Sequence, residues 1–442
     1  MSIRFSNVTP GEKISVSRWS IEASGPGMND GRPMNIALPT STFLPNVGGV
    51  EVGLSVIAGQ LTLRGHKPVI IAPYRLVRAL RQMDWIAEYP VVSFPPKIFQ
   101  LLRRCPRVGF AALDLFYARI ARQYGIDVWH GTVGYPTGVS LAHYAYGNPK
   151  AAPVLVRCAG EDIQRDPEIN YGMRLDPRVD GVVRQWLPRA DKLVAITESV
   201  AQEYRDIGIP DKQIAFIPNG VTLDRFSSPF NPSAVRQGLG ISPDTFLFLS
   251  VGRNHPKKNF PILLDVADAL RAKTSQDFQI WIVGNGGEPV EHAARERGLD
   301  QVVRILPAFT QSADTPFEMP PGDLIDLYRA ADAFVFPSKV ETFGIVLVEA
   351  MAAGLPVITT DSPGCRDVVR RDTDGVTVSH DDVVGFADAM QRIMADTNHR
   401  AMLSARAKER AKDFSWDAIV DAYLQTYAEI IDARRSSRMR LG

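Results

Sequence analysis

Residues 333–360 read AFVFPSKVETFGIVLVEAMAAGLPVITT. Two short apolar runs, AFVFP and PVITT, flank a segment of helical composition that starts near Gly344 and closes on Gly354, a residue suited to the left-handed position after a helix. Strands of parallel sheets are buried on both faces, so they read as unbroken apolar runs rather than alternating ones. This strand–loop–helix–strand stretch is therefore a βα unit of a parallel sheet.

The same grammar recurs outward in both directions. Upstream of it lie FLFLSVG (246–252), QIWIVG (279–284) and VVRIL (302–306), with helical segments between them. Nearer the start are MNIALP, a helix over GGVEVGLSVIAGQLTLRGH closing on Gly65, and PVIIAP. IDVWH (126–130), PVLVRC (153–158), KLVAI (192–196) and IAFIP (214–218) follow. A polar, turn-rich stretch over 219–244 separates the two arrays. The expected fold class is α/β: two Rossmann-like doubly wound domains facing a cleft. Their expected bounds are 34–218 and 219–414, after an extension over 1–33 and before a C-terminal segment, 415–442. FSWDAIVDAYLQTYAEII in that last segment is amphipathic, and long enough to cross back to the first domain.

A chain of 442 residues is long for one core and natural for two. Lysine plus arginine number 50 against 49 acids, so global charge makes no case for nucleic acid, and no such partner is expected. Three scattered cysteines, Cys105, Cys158 and Cys365, form neither a disulfide framework nor a zinc spacing. The N-terminus lacks the apolar core of a signal peptide and no run is long enough to span a bilayer. A cytoplasmic protein is expected. Residues 75–124 carry nine arginines or lysines against three acids, and KIFQLLRRCPRV within them is basic and apolar together. A solvated helix face is the simpler reading, and peripheral contact with the anionic inner face of a membrane is the other.

Glu341 and Glu349 interrupt the apolar run of the opening stretch. Eight helical positions would separate them by about 12 Å, more than the roughly 5–9.5 Å of a glycosidase carboxylate pair. They suit the two ends of one extended ligand better than an acid–base pair. Between them the N–H groups of Phe343, Gly344, Ile345 and Val346 open a helix, a ready anion site. A nucleoside diphosphate sugar matches this order: sugar at Glu341, diphosphate at the helix end, ribose at Glu349. The plainer alternative has Glu341 as an electrostatic cap and Glu349 as an exposed surface residue. In SVGRNHPKKNF, Arg253 and Lys258 follow the first strand of the second array, where loops line the ligand crevice; Lys257 reads as a neighbour without a role. FLPNVGGVE sets two glycines between strand and helix, without the spacing of a dinucleotide fingerprint. VGNGGEP (283–289) is a weaker glycine loop.

Taken together, PNVGGVE, RGHKPVII, ITESV, IPNGVTLDRF, VGRNHPKKNF, LYRAADAFVFPSKVETFGIVLVEAMAAGLPVI and FSWDAIVDAY resemble glycosyltransferase family 4, the retaining group with the GT-B fold. The matching stretches run in family order from about residue 34 to 430. The resemblance implies transfer of a sugar from an activated donor, a uridine diphosphate sugar being expected, to the hydroxyl of a glycan, lipid-linked or small-molecule acceptor. It implies no cofactor beyond that co-substrate and no metal. By position, Arg253 and Lys258 would bind the donor diphosphate, Glu341 the sugar, Phe343 to Val346 sugar and phosphate, and Glu349 the ribose. Gly49 would approach phosphate or acceptor. Acceptor contacts are expected on first-domain loops such as 131–150 and 160–185, and the base near Pro307–Phe309. The triplet DTD at 372–374 reads as a turn. One departure stands out: many members carry a histidine after the strand at 153–158, where this chain has Ala159. His130 and Asp162 are the candidates to replace its contact. A nucleotide-sugar epimerase, a dehydrogenase and a sugar-nucleotide-binding scaffold that has lost catalysis are the rival classes.

Overall fold

The computed structural model describes residues 32–168, 170–309 and 317–439; the expected extension over 1–33 lies outside them except for its last two residues. Among the described residues thirteen strands form two sheets, both parallel. The first holds β1 (Asn35–Pro39), β2 (Lys67–Ala72), β3 (Val91–Ser93), β4 (Val128–Gly131), β5 (Val154–Arg157), β6 (Lys192–Ala195) and β7 (Ile214–Phe216), in the order β3-β2-β1-β4-β5-β6-β7. The second holds β8 (Phe246–Val251), β9 (Phe278–Val283), β10 (Val303–Leu306), β11 (Ala333–Phe336), β12 (Val357–Thr360) and β13 (Val376–Val378), in the order β10-β9-β8-β11-β12-β13. This is the GT-B arrangement.

The two orders place the functional loops. Strand order reverses between β1 and β4 in the first sheet and between β8 and β11 in the second, and ligands of open α/β sheets bind at such switch points. Thus the glycine turn after β1 meets the segment after β4, and the Arg253–Lys258 loop after β8 meets the Glu341 loop after β11. The central strands β4, β8 and β11 are fully buried, as their apolar runs require, and Trp129 in the first sheet and Trp281 in the second are among the largest fully buried side chains.

Two strands escape a sequence reading. β3 and β13 are three residues each at sheet edges, too short and too partly buried to leave an apolar run. The stretch 131–150, expected as loop, is largely helical: a π-type turn at Gly134–Gly138 leads into a helix over Val139–Gly147. Val139, Leu141, Ala142 and Ala145 bury that helix in the core, which fixes its conformation. Likewise Pro177–Trp186, inside the expected loop 160–185, is a helix capped by Asp176, whose side chain accepts from the Arg178 N–H.

The Trp416–Met439 helix returns to the first sheet. Ile419, Val420, Tyr423 and Tyr427 enter the same apolar cluster as Ile36, Leu38 and Ile70. Its entry is pinned by the Val221 N–H donating to Phe414 O (2.7 Å) and by an Arg64–Asp417 ion pair (2.9 Å). Further bonds join the two sheets' loops directly, with Thr197 Oγ1 donating to Thr342 O (3.0 Å) and Ser199 Oγ to Asp367 Oδ2 (2.6 Å).

Candidate functional site

β11 ends at Phe336, and the chain then runs over the carboxyl edge of the second sheet. Glu341 is 6% exposed; its carboxylate pairs with the Lys258 ammonium and accepts from Ser338 Oγ (3.1 Å). Ser338 also donates to Lys257 O (2.8 Å), as does the Lys339 N–H (2.7 Å), so the loops after β8 and β11 are tied together. A glycine makes room behind the glutamate. Gly364 has φ +81°, and a Cβ there would sit 2.3 Å from Glu341 O. Gly344, at φ +77°, turns the chain into the Ile345–Ala353 helix. Phe343 and Gly344 are buried while Ile345 and Val346 are half-buried, and the first-turn N–H groups of a helix have no intrahelical acceptor.

Arg253 is exposed at the rim of this edge. Lys257 is not a mere neighbour: its ammonium lies 4.7 Å from the Tyr171 ring centroid, reaching a residue from the first half. Burial, helped by Lys258 and Arg253, outweighs the pull of Glu341 and lowers the Lys257 pKa. Burial also pushes the Tyr171 phenol up to about 12. Three cations beside one buried carboxylate leave this edge with excess positive charge, the condition for receiving a polyanion. From across the cleft, Gln164 Nε2 donates to Glu341 O (3.3 Å) and Thr342 Oγ1 donates to Gln164 Oε1 (2.6 Å). Sequence reasoning did not reach Ser338, Gln164 or Tyr171. Ser338 sat inside the quoted run, whereas Gln164 and Tyr171 carry no local signal.

Glu349 lies one to two turns into the helix and is buried, not exposed. Tyr328 Oη donates to its Oε2 (2.9 Å). Burial raises its pKa to about 7 against the opposing effects of that hydrogen bond and of Arg225. Arg225 itself bonds Glu318 (3.1 Å). Pro307 and Ala308 are exposed after β10, and Phe309 packs against the core.

On the first sheet's side, Gly49 opens the Gly49–Leu63 helix, and a side chain there would meet nothing within 4 Å. His130 is wholly buried at the end of β4, with Nδ1 2.7 Å from the Tyr427 hydroxyl. Burial and then Arg157 push its pKa down to about 3, so it is a neutral imidazole. Asp162, the other candidate for the missing histidine's contact, is 4% exposed. Its carboxylate accepts from the backbone N–H groups of Ala159 (2.9 Å), Gly160 (2.7 Å) and Gly134, and so shapes the turn after β5. The DTD triplet is a turn in which Asp374, fully buried, accepts from the Arg370 N–H and pairs with its guanidinium. Among the described residues no group of three or more acidic, histidine or cysteine side chains could hold a metal ion.

The chain matches two family models: Glycosyltransferase Family 4 over residues 47–225 and Glycosyl transferases group 1 over residues 233–410. A D-inositol 3-phosphate glycosyltransferase of Geodermatophilus obscurus is 32% identical over 288 residues, 62% of this chain and 61% of the relative. The homologue of that name from Salinispora tropica is 31% identical over 316 residues, 68% of this chain and 61% of the relative. The matches thus span about three-fifths of these curated relatives. Among solved structures, Anabaena HepE in complex with UDP superposes with a TM-score of 0.69 at 21% identity, covering 90% of this chain and 100% of that one. A glycosyltransferase from Rickettsia africae gives 0.70 at 19% identity, covering 90% and 99%. At these identities the superpositions speak for the fold.

Proposed function

Because the chain belongs to glycosyltransferase family 4, the group 1 glycosyltransferases, we propose that it moves a sugar from a nucleoside diphosphate sugar, with UDP as the nucleotide, to an acceptor hydroxyl with retention of configuration. The acceptor belongs to glycan or glycolipid synthesis. One observation carries the reading: buried Glu341 pairs with half-buried Lys258 beside a helix N-terminus, with Arg253 at its rim, on the switch point of the second sheet. In this reading the diphosphate lies between Arg253, Lys258 and the N–H groups of Phe343 to Val346. Those cations stabilise the charge that grows on the leaving group. Glu341 orients the sugar hydroxyls, and buried Glu349 faces the ribose. The acceptor hydroxyl attacks on the face from which the diphosphate departs, and a phosphate oxygen takes its proton. No protein nucleophile and no metal enter this scheme, so turnover should survive EDTA.

The test is a thermal-shift screen of nucleotide sugars followed by assay of nucleotide release with candidate acceptors. Binding stabilises the fold as occupancy rises. Stabilisation by UDP sugars, with UDP released, is expected; a nicotinamide cofactor that stabilises instead, or epimerised donor formed without acceptor, would overturn the proposal. Ala159 and the backbone-bound Asp162 favour a second reading, a binding protein without turnover. Slow donor hydrolysis excludes it.

A membrane-facing acceptor is supported by the helices Ile98–Arg104 and Pro106–Tyr124. They set Arg103, Arg104 and Arg107 beside exposed Leu101, Val108 and Leu115, the last 75% exposed. No described helix is long and apolar enough to cross a bilayer. Salt-sensitive cosedimentation with anionic but not zwitterionic vesicles is the expected behaviour.

A further inference from the structure

A small cavity of mixed polar and apolar lining lies across the cleft, at the switch point of the first sheet. It opens between the start of the Gly49–Leu63 helix, the ends of β4 and β5, and the entry of the C-terminal helix. Its polar lining is His130, Thr132, Arg157, Asn219 and Tyr423, and no aspartate or glutamate lines it. Arg157 is 7% exposed, its Nη2 donates to the neutral Asn219 amide, and among the described residues no carboxylate pairs with it. A buried cation without a counter-ion costs several kcal/mol. A structural arginine in the same lobe shows the contrast: Arg174, 2% exposed, pairs with both Asp180 (2.7 Å) and Glu203 (2.8 Å).

Two further polar atoms of the lining have no partner. His130 Nε2 and the Tyr423 hydroxyl are both buried and unbonded among the described residues. His130 Nδ1 and the Tyr427 hydroxyl share one hydrogen bond (2.7 Å), which leaves Nε2 as the ring nitrogen open to a ligand. The first-turn N–H groups at Gly49 and Val50 add a helix N-terminus. A guanidinium, an imidazole nitrogen, hydroxyls and backbone N–H groups converge in a cavity that no acid lines; Glu51, in the first turn of the same helix, has its carboxylate near Gly48 and accepts from Thr42 Oγ1. The enclosed volume, about 10 Å³, admits one oxygen-sized group.

We propose that this cavity is an oxyanion subsite separate from the Arg253–Lys258 edge, receiving one charged oxygen of a phosphate group on the acceptor, with Arg157 as its binding residue. Oxyanion binding stands on the geometry alone, whereas assigning it to the acceptor rests on the glycosyltransferase reading. A water molecule and a donor phosphate reaching across the cleft are the competing occupants.

The test uses the full chain, inorganic phosphate as probe and chloride at matched ionic strength as control, read by calorimetric titration and thermal shift. Wild type should bind phosphate with UDP saturating, and Arg253→Ala should retain that binding. Arg157→Gln should weaken it at least tenfold and Arg157→Lys less, with UDP affinity held within about twofold. Because a lone buried cation is a liability, phosphate-free Arg157→Gln should melt no lower than wild type. Equal phosphate affinity in wild type and Arg157→Gln would overturn the proposal and leave water as the occupant. So would one-for-one competition with UDP or loss of phosphate binding in Arg253→Ala, since either places the anion at the donor edge. A large fall in melting temperature for Arg157→Gln, with Arg157→Lys binding as wild type, would reduce Arg157 to a structural role. Failure of every UDP sugar to bind would sink the glycosyltransferase reading, while the phosphate titrations of wild type, Arg253→Ala and the Arg157 variants would still decide the subsite.

Discussion

Glu349→Gln should make the protein more stable, and increasingly so as pH rises. In the folded chain burial raises the Glu349 pKa to about 7, from an ordinary 4.5. Below about pH 4.5 the carboxyl is neutral in both folded and unfolded states and carries no penalty. As pH climbs, the unfolded chain sheds the proton first while the folded chain retains it, so stability falls until about pH 7 and stays lowered above that. The gap of about 2.5 pKa units corresponds to a loss of about 3 kcal/mol, at 1.36 kcal/mol per unit. Glutamine is neutral throughout, fits the same space and still offers an oxygen to the Tyr328 hydroxyl, which now donates to Glu349 at 2.9 Å. Urea unfolding of both proteins, followed by tryptophan fluorescence at pH 5 and pH 8, isolates this group because other titrations cancel in the difference. The advantage of Glu349→Gln should grow by about 2–3 kcal/mol between the two pH values. A difference that is flat, or that shrinks toward pH 8, would show that the carboxyl is not held protonated by its surroundings.

Alanine at Arg253 or at Lys258 should cut kcat by roughly 10²–10³, measured as nucleotide release; near wild-type turnover in both would remove these cations from leaving-group stabilisation. Glu349→Ala should act mainly on donor KM, leaving kcat within a few-fold at saturating donor, since the proposed donor pose sets this carboxyl at the ribose and not at the reacting sugar. Tyr427→Phe leaves both nitrogens of His130 unbonded in the interior, and about 1–3 kcal/mol of unfolding free energy should be lost in urea titrations. Gly364→Ala forces a Cβ to within 2.3 Å of Glu341 O at a φ of +81°. It should cost about 1–3 kcal/mol of stability and raise donor KM as Glu341 is displaced.

Some of the site could be read from local runs because its elements are local. AFVFP and PVITT had to be strands buried on both faces, and Gly354 had to end the helix between them. Arg253, Lys258 and Glu341 each follow a central strand, so a parallel-sheet reading already sends them to one edge. β3 and β13 were invisible, since three half-buried edge residues make no run. Helical 131–150 was missed for a related reason. Gly134, Pro136 and Gly138 look like loop residues, and only packing under Val139 and Leu141 turns them into a helical entry.

Apolar periodicity and turn residues, which act over a few positions, therefore determined the two arrays of strands and the candidate donor edge. Tertiary structure alone decided the charge states and partners. Glu349 became a proton-retaining acid because the fold buries it, which outweighs the lowering effect of its hydrogen bond from Tyr328, 21 residues away in sequence. His130 became a neutral core residue because burial, with Arg157 beside it, lowers its pKa, while a helix nearly 300 positions later supplies its partner Tyr427. Asp162 was tied to three backbone N–H groups, and Arg157 was left, among the described residues, with the neutral Asn219 amide rather than a carboxylate as its partner. Dielectric and pairing depend on what the folded chain brings within a few ångströms, and residue order along a strand does not carry that information.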